Sequence, residues 1–354
     1  MKKIIGIILL VFSVGLIIFV YNDDFLYTNK IIKIEKIETV KENVLQNSLG
    51  LKEKHYTKEI TGIVTNGKNK GKEEKLTIKE TFSSVVTDKY RVNDKLIVNG
   101  TSIELKRDTY VAVMFVLFID LIYLIGSFKG LLSILSVTIN SIIFYIGLLL
   151  YFKGVNLLFL CIIETVLFAV LSLIFAGGVN KKTLSAILSV ITTTIIITIL
   201  LLITVKATNY KGINFNEISF LTVPLEDIIL PELLIGSIGA IMDVAITISS
   251  SISELIEKNK NISTKRLNKS AKEIGKDIMS TMSNVLFFTY LCAELPIFVL
   301  AIRNGFTMYN YITTNFSLEL SRFLVGSIGI VLTIPITAFI SIKLTKRGAR
   351  WILY

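Results

Sequence analysis

Eight stretches of the chain, residues 4–20, 109–126, 130–151, 155–176, 183–205, 228–255, 280–302 and 319–342, are nearly uninterrupted apolar runs. About 20 such residues in a helix match the hydrocarbon thickness of a bilayer. Lipid offers no water to backbone N–H and C=O groups, so each segment must bond them internally, and the α-helix does so. A chain of 354 residues that is 52% hydrophobic has too little polar surface to fold as a soluble globule. The expectation is a polytopic α-helical membrane protein of about eight transmembrane (TM) helices, with the lipid bilayer as its first partner.

Basic residues set the orientation. With the N-terminus in the cytoplasm, the short inner segments hold sixteen: Lys2, Lys3, Lys129, Lys181, Lys182, seven from Lys258 to Lys276, Lys343, Lys346, Arg347 and Arg350. The short outer loops hold four, Lys153, Lys206, Lys211 and Arg303. The positive-inside rule therefore predicts both termini in the cytoplasm of a bacterial plasma membrane. The net charge of +11 is then mostly a topology signal, and nucleic acid is not an expected partner. The first apolar run follows Met-Lys-Lys but lacks a small-residue cleavage site at "FVYNDD", so it reads as an uncleaved anchor.

The expected organisation is a TM1 anchor over 1–20, an extracellular β-rich domain over 21–108, TM2–TM5 over 109–205, an outer loop over 206–227, and a TM6–TM8 core over 228–354. In the polar block, "KIIKIEKIE", "EITGIVTNG" and "KLTIKETF" alternate as half-buried strands do. Asn99-Gly100 signals a hairpin in which both turn residues take positive φ, and Asn66-Gly67 marks another turn. A small barrel or sandwich, OB-like, is expected over about residues 55–105, with a less regular lead from 21 to 54. Seventeen basic and fourteen acidic residues are interspersed over 21–108, as on an ordinary solvated surface. His55 is the only histidine, and Cys161 and Cys292 sit inside predicted spans as free buried thiols. No metal site and no cofactor is expected.

The most informative pattern is a repeat. "LLIGSIGAIMDVAITISSSI" (233–252) and "FLVGSIGIVLTIPITAFISI" (323–342) are identical at nine of twenty positions, and Asp243 in the first stands where the second has Thr333. Both helices cross the membrane in the same direction. Gly236 and Gly239 in one copy, and Gly326 and Gly329 in the other, suit close helix packing. Pro335 is expected to kink the second copy.

A carboxylate inside a span costs about 2.5–3.5 kcal/mol, so each needs a reason. At helical spacing Gly236, Ala240, Asp243, Thr247, Ser250 and Glu254 form one small or polar stripe, which is expected to face other helices or water. Asp243 is either a structural hydrogen-bond acceptor or an ion-coupling group. Thr247, Ser250, Asn284, Glu294 and Glu164 are the further intramembrane polar candidates, with Asp120 and Asn140 weaker ones. Arg322 is the expected ion-pair partner of Glu294. Residues 257–279 read as a basic amphipathic helix along the inner leaflet, capped by Ser263 or Thr264, with Leu267, Ala271, Ile274 and Ile278 on its apolar face.

The blocks "GSIGAIMDVAITISSSISEL", "SAKEIGKDIMSTMSN" and "ELSRFLVGSIGIVLTIPITAFI" resemble the signature segments of YibE/F-like membrane proteins of Gram-positive bacteria. "GIVTNGKNKGK" and "YRVNDKLIV" resemble the N-terminal portion of that family. "SNVLFFTYLCAELPIF" departs from the small, glycine-containing stretch the family has after "TMSN". The resemblance implies a multipass plasma-membrane protein, sometimes one of two related proteins, and brings no established activity; Asp243, Asn284, Glu319 and Arg322 fall in its blocks without acquiring a role. The leading functional expectation is a permease or transport component, ion- or proton-coupled through Asp243, working as a homo-oligomer or with a second YibE/F-like subunit. The alternative is a non-transporting scaffold whose extracellular domain recruits another protein. An enzyme is disfavoured, since no HExxH, paired intramembrane aspartates or serine nucleophile setting occurs.

Overall fold

A computed structural model describes residues 2–46, 50, 52–81, 88–100, 102–208, 226–314 and 316–351. The chain divides into two compact units, Met1–Leu131 and Leu132–Tyr354. Most of the expected outer loop, 209–225, lies outside the described residues.

The first unit begins with α1 (Lys2–Tyr21) and a 3-10 turn (Asp23–Leu26). Five strands follow: β1 (Lys30–Gln46), β2 (Lys52–Val64), β3 (Glu73–Thr81), β4 (Lys95–Asn99) and β5 (Ser102–Leu105). They form one antiparallel sheet in the order β3-β2-β1-β4-β5. The supposed irregular lead is therefore its central strand. Ile34, Ile60, Ile78, Tyr90 and Leu96 form its core, the first three from the stretches whose alternation reads as strand. Among the described residues β3 and β5 do not pair, so barrel closure is not seen.

Three local details fix the register. At a bulge in β1, Ile34 pairs with Gly62 and Lys36 with Thr61, and a Cβ on residue 62 would lie 2.5 Å from the Lys33 carbonyl oxygen. Only glycine fits opposite that bulge. Asn66 has a buried amide: its Oδ1 accepts from the Ile31 N–H at 2.8 Å, and its Nδ2 donates to the Asn29, Asp24 and Tyr27 carbonyls. In the β4–β5 hairpin Asn99 is still a strand residue paired with Ser102, and Gly100, at φ 60°, is the first turn residue. The hairpin was legible, but its turn lies one residue further on than expected, and Thr101 is outside the described residues.

The remaining elements are α2 (Asp108–Phe152), α3 (Leu157–Gly177), α4 (Lys181–Thr208), α5 (Glu226–Lys258), α6 (Thr264–Arg303), α7 (Met308–Thr314) and α8 (Phe316–Trp351). Six of them, α2 to α6 and α8, are long and apolar enough to cross a membrane, and Ile8–Tyr21 of α1 is a shorter apolar helix. Helix α2 has 45 residues and is broken at Ser127, at φ 49° and ψ −131°. A Cβ on Gly130 would lie 2.5 Å from the Ile122 carbonyl oxygen, whereas eight residues of straight helix span about 12 Å. Two of the expected spans thus share one helix with a sharp break.

In the second unit, α3, α4 and α5 pack around Ala169, Leu173, Val190, Ile197, Leu234, Ile238 and Ile241. Helices α5, α6 and α8 pack around Val244, Ile248, Ile252, Leu267, Ala271, Leu286 and Ile330. Ser263 caps α6 by accepting from the Arg266 N–H at 3.3 Å. The expected surface helix is not separate: α6 runs unbroken for 40 residues. Its Leu267 and Ala271 are buried, and Gly275 lies against Ile334 of α8. The apolar face read from the sequence is real, and it meets protein.

Candidate functional site

The repeated helices pack directly on each other, but their equivalent faces have opposite environments. In α8, Gly326 is pressed against Leu286 of α6 and Ser237 of α5. A Cβ on Gly329 would come within 2.9 Å of the Cδ1 atoms of both Ile197 and Ile241. Thr333, Thr337 and Ser341 continue this stripe, each at 0% exposure. In α5, Gly236 touches Tyr290, whose hydroxyl donates to the Gly236 carbonyl at 3.0 Å. Gly239 has nothing within 4 Å of a built Cβ, and Asp243, Thr247 and Glu254 are exposed. Ser250 is half-buried. One copy of the stripe is inside the bundle, and the other lies open on it.

The buried copy faces α4. The Ser341 hydroxyl donates to Ser185 at 3.1 Å, while Gly329 lies on Ile197. Twelve residues separate the two contact points on each helix (341 − 329 and 197 − 185), so the helices run antiparallel in step. That register sets Thr337 opposite Ser189 and Thr333 opposite Thr193. All six of these hydroxyl residues are 0% exposed. Ser249 of α5 joins the end of the ladder, bonding to the Lys182 carbonyl at 2.7 Å and to Ser185. Among the described residues the Oγ1 atoms of Thr193 and Thr337 have no hydrogen-bond partner. The i, i+4 spacing of Ser185, Ser189 and Thr193 is visible in the sequence, but between Lys182 and Lys206 the helix has no charged residue to draw attention to it.

Asp243 stands at the middle of its span, fifteen residues from either end of Ile228–Lys258. No hydrogen bond or ion pair from a described residue reaches its carboxylate; the Thr247 hydroxyl bonds instead to the Asp243 backbone carbonyl at 2.7 Å. Asn284 on α6 is also exposed. Glu164 is 5% exposed, and its carboxylate presses on the backbone at Gly147, again with no bonding partner. Nearby, Asn140 donates to Ser172 at 2.8 Å, and its Oδ1 is unpaired. Asp120 accepts from Ser13 of α1 at 2.9 Å, which accounts for it as a structural acceptor. Cys161 is buried, but Cys292 is exposed, contrary to expectation.

A second polar group lies at the end of the bundle away from Lys182. Arg322 does not pair with Glu294. Its two terminal nitrogens bond Glu232 of α5 and Glu319 of its own helix. Glu294 accepts from the hydroxyl of Tyr311 in α7 at 2.6 Å. Nothing in the residue pattern ranks Glu232, one residue after Pro231, above Glu294.

In the first unit a charged collar joins α1, the sheet and α2. Lys106 Nζ contacts Asp23 at 2.5 Å, Asp24 at 2.9 Å and Asp108 at 3.3 Å, with its side chain 1% exposed. Lys95 bonds Asp24 at 2.7 Å and the Tyr21 carbonyl at 2.5 Å. Burial opposes the charge on Lys106, but hydrogen bonds to Asp23 and Asp24 outweigh it and raise its pKa above the usual lysine value. Burial likewise opposes ionisation of Asp24, yet Lys95 and Lys106 hold its pKa below the ordinary carboxylate value. Tyr27, desolvated and donating to Asp108 at 2.8 Å, is pushed up to about 12. "NDDF" and "LKRD", flanking two apolar runs, were the signal for this collar.

Long apolar helices carrying buried hydroxyls and unpaired carboxylates, joined to an antiparallel sheet, define a polytopic membrane protein with an appended β-domain. The chain belongs to the YibE/F-like family: residues 114–347 match the YibE/F-like protein model, and residues 25–111 match the YibE/F family N-terminal domain. No curated protein and no solved structure matches it.

Proposed function

We propose that the protein is a transport component of a bacterial plasma membrane, acting in an assembly with a second copy or a second YibE/F-like subunit. The supporting observation is Asp243: a mid-span carboxylate, unpartnered among the described residues, on a face of α5 that those residues leave uncovered. Acyl chains are a costly environment for it, and a neighbouring subunit or a hydrated path removes that cost. The same stripe in α8 shows what covering looks like, for there α4 supplies matching hydroxyls. On this reading the two uncovered faces enclose the path, Asp243 couples an ion or proton to it, and the basic segments set both termini in the cytoplasm and the sheet outside.

Asp243→Asn is expected to abolish pH- or cation-linked flux in vesicles reconstituted with the full chain. It is measured with an entrapped pH dye under imposed proton, sodium and potassium gradients. Unchanged flux would remove the role assigned to Asp243.

One observation favours a non-transporting scaffold as the second reading. The far end of the β1–β2 hairpin exposes Val40, Val44 and Leu45 at 64%, 55% and 55%. An apolar tip of this kind suits a protein partner. Deleting residues 25–105 then destroys the complex, while Asp243→Asn leaves it intact.

A further inference from the structure

The Arg322 group is unbalanced in charge. Glu232 on α5 and Glu319 on α8 share one guanidinium, and Glu232 and Glu294 of α6 are both within electrostatic reach of Glu319. With all three ionised, three negative charges face one positive charge in a low-dielectric setting. Among the described residues the phenols close by are Tyr290 of α6 and Tyr311 of α7, and neither adds a positive charge.

The bonding identifies which carboxylate is incomplete. Glu232 takes one Arg322 nitrogen. Glu294 takes the Tyr311 hydroxyl at 2.6 Å, a length typical of a hydrogen bond to an ionised acceptor. Glu319 takes the other Arg322 nitrogen on Oε1 only. Its Oε2 is buried without a partner, and its side chain is 7% exposed. A buried carboxylate oxygen without a protein donor is costly, and adding a proton to it removes the charge and makes it a donor.

We propose that this cluster is a proton-binding site, with the exchangeable proton carried on Glu319 Oε2. The proton comes from bulk water and forms one O–H bond. Glu232 and Glu294, bonded to Arg322 and Tyr311, are the neighbouring carboxylates toward which the new O–H can donate. The cluster ties α5, α6, α7 and α8 together, so a proton here acts on the packing of all four. It lies about ten residues along α5 from Asp243 (243 − 232 = 11) and does not depend on the role given to Asp243.

The test is infrared difference spectroscopy of the full chain in lipid nanodiscs, titrated from about pH 5 to about pH 9, in H2O and D2O. The protonated-carboxyl band is expected to lose one group's amplitude in Glu319→Gln and to keep that component in Asp243→Asn. Superimposable wild-type and Glu319→Gln spectra would overturn the proposal, whatever the flux assay shows. Should Glu319→Gln fail to fold, Tyr311→Phe serves instead. Removing the donor to Glu294 makes the cluster harder to ionise, and the midpoint of the band is expected to rise by about one pH unit. An unmoved or lowered midpoint contradicts the assignment.

Discussion

Lys106→Met is expected to destabilise the sheet unit by about 3–5 kcal/mol, the usual cost of leaving buried charges unpaired. Three aspartates, from the turn after α1 and the start of α2, converge on this one ammonium, and only Lys95 is left to balance them. Amide exchange in β1 and β4 should accelerate on the order of 10²–10³-fold, since each factor of ten is about 1.4 kcal/mol. Lys106→Arg keeps the charge and should lose less. Adding Asp24→Asn to Lys106→Met should recover part of the loss by removing one orphaned anion. The pH dependence follows from the two shifts. Asp24 is depressed in the folded state, so its contribution is present above the unfolded value of 3.8 and disappears as pH falls through the lower folded value. Lys106 is raised, so its contribution is present below 10.5 and is lost only as pH climbs through the still higher folded value. Between those limits the collar should be insensitive to pH, and acid below about pH 4 should loosen it. Equal exchange rates in wild type and Lys106→Met would show that the collar contributes nothing.

The second large effect is a contrast between two glycines at the same position of the repeat. Gly329→Val drives a branched side chain into Ile197 and Ile241, both already touching the glycine, and should cost about 1–3 kcal/mol or more by overpacking. At Gly239 a Cβ has no described neighbour within 4 Å, so Gly239→Val points its side chain into open space. The single chain should therefore fold as well as wild type, with the same thermal midpoint in detergent. If the α5 face is an interface, the added side chain blocks it, and native gels or mass photometry should show loss of the assembly. Similar destabilisation by both substitutions would argue against the asymmetry. Loss of neither stability nor assembly in Gly239→Val would leave the α5 face without a partner.

Much of this architecture is written in the apolar runs and in one repeat. The bilayer demands long runs, and they survive as helices even where two of them join through a break at Ser127. The alternating strand of "KIIKIEKIE" was also legible, but its place at the centre of the sheet was not, because strand order depends on long-range pairing that no local pattern encodes. Asn66 reads locally as a turn residue, yet its buried amide ties three backbone carbonyls together. The polar stripe on α5 follows from helical spacing alone. Which side of the bundle it would occupy was not decidable, since α5 has a second packing face of Ser237, Ile241, Val244, Ile248 and Ile252 that competes for the interior. That second face took the interior because its bulky β-branched side chains bury more apolar surface than the small and polar stripe does. The partners of Arg322 were missed for a simpler reason: ion pairing across helices depends on rotation about their axes, and two glutamates at similar depth cannot be ranked by sequence.

The central claim is that the Asp243 face of α5 meets protein or water in the membrane. Its most direct test is the accessibility of a nitroxide at Thr247→Cys, in a full-length chain carrying Cys161→Ser and Cys292→Ser, reconstituted in lipid. Labels at Val331 and Phe339, 48% and 64% exposed on α8, supply the lipid-facing reference. The account predicts that the Thr247 label collides with oxygen dissolved in the bilayer far less often than either reference. Oxygen accessibility equal to theirs would place the carboxylate's face in acyl chains and contradict the account.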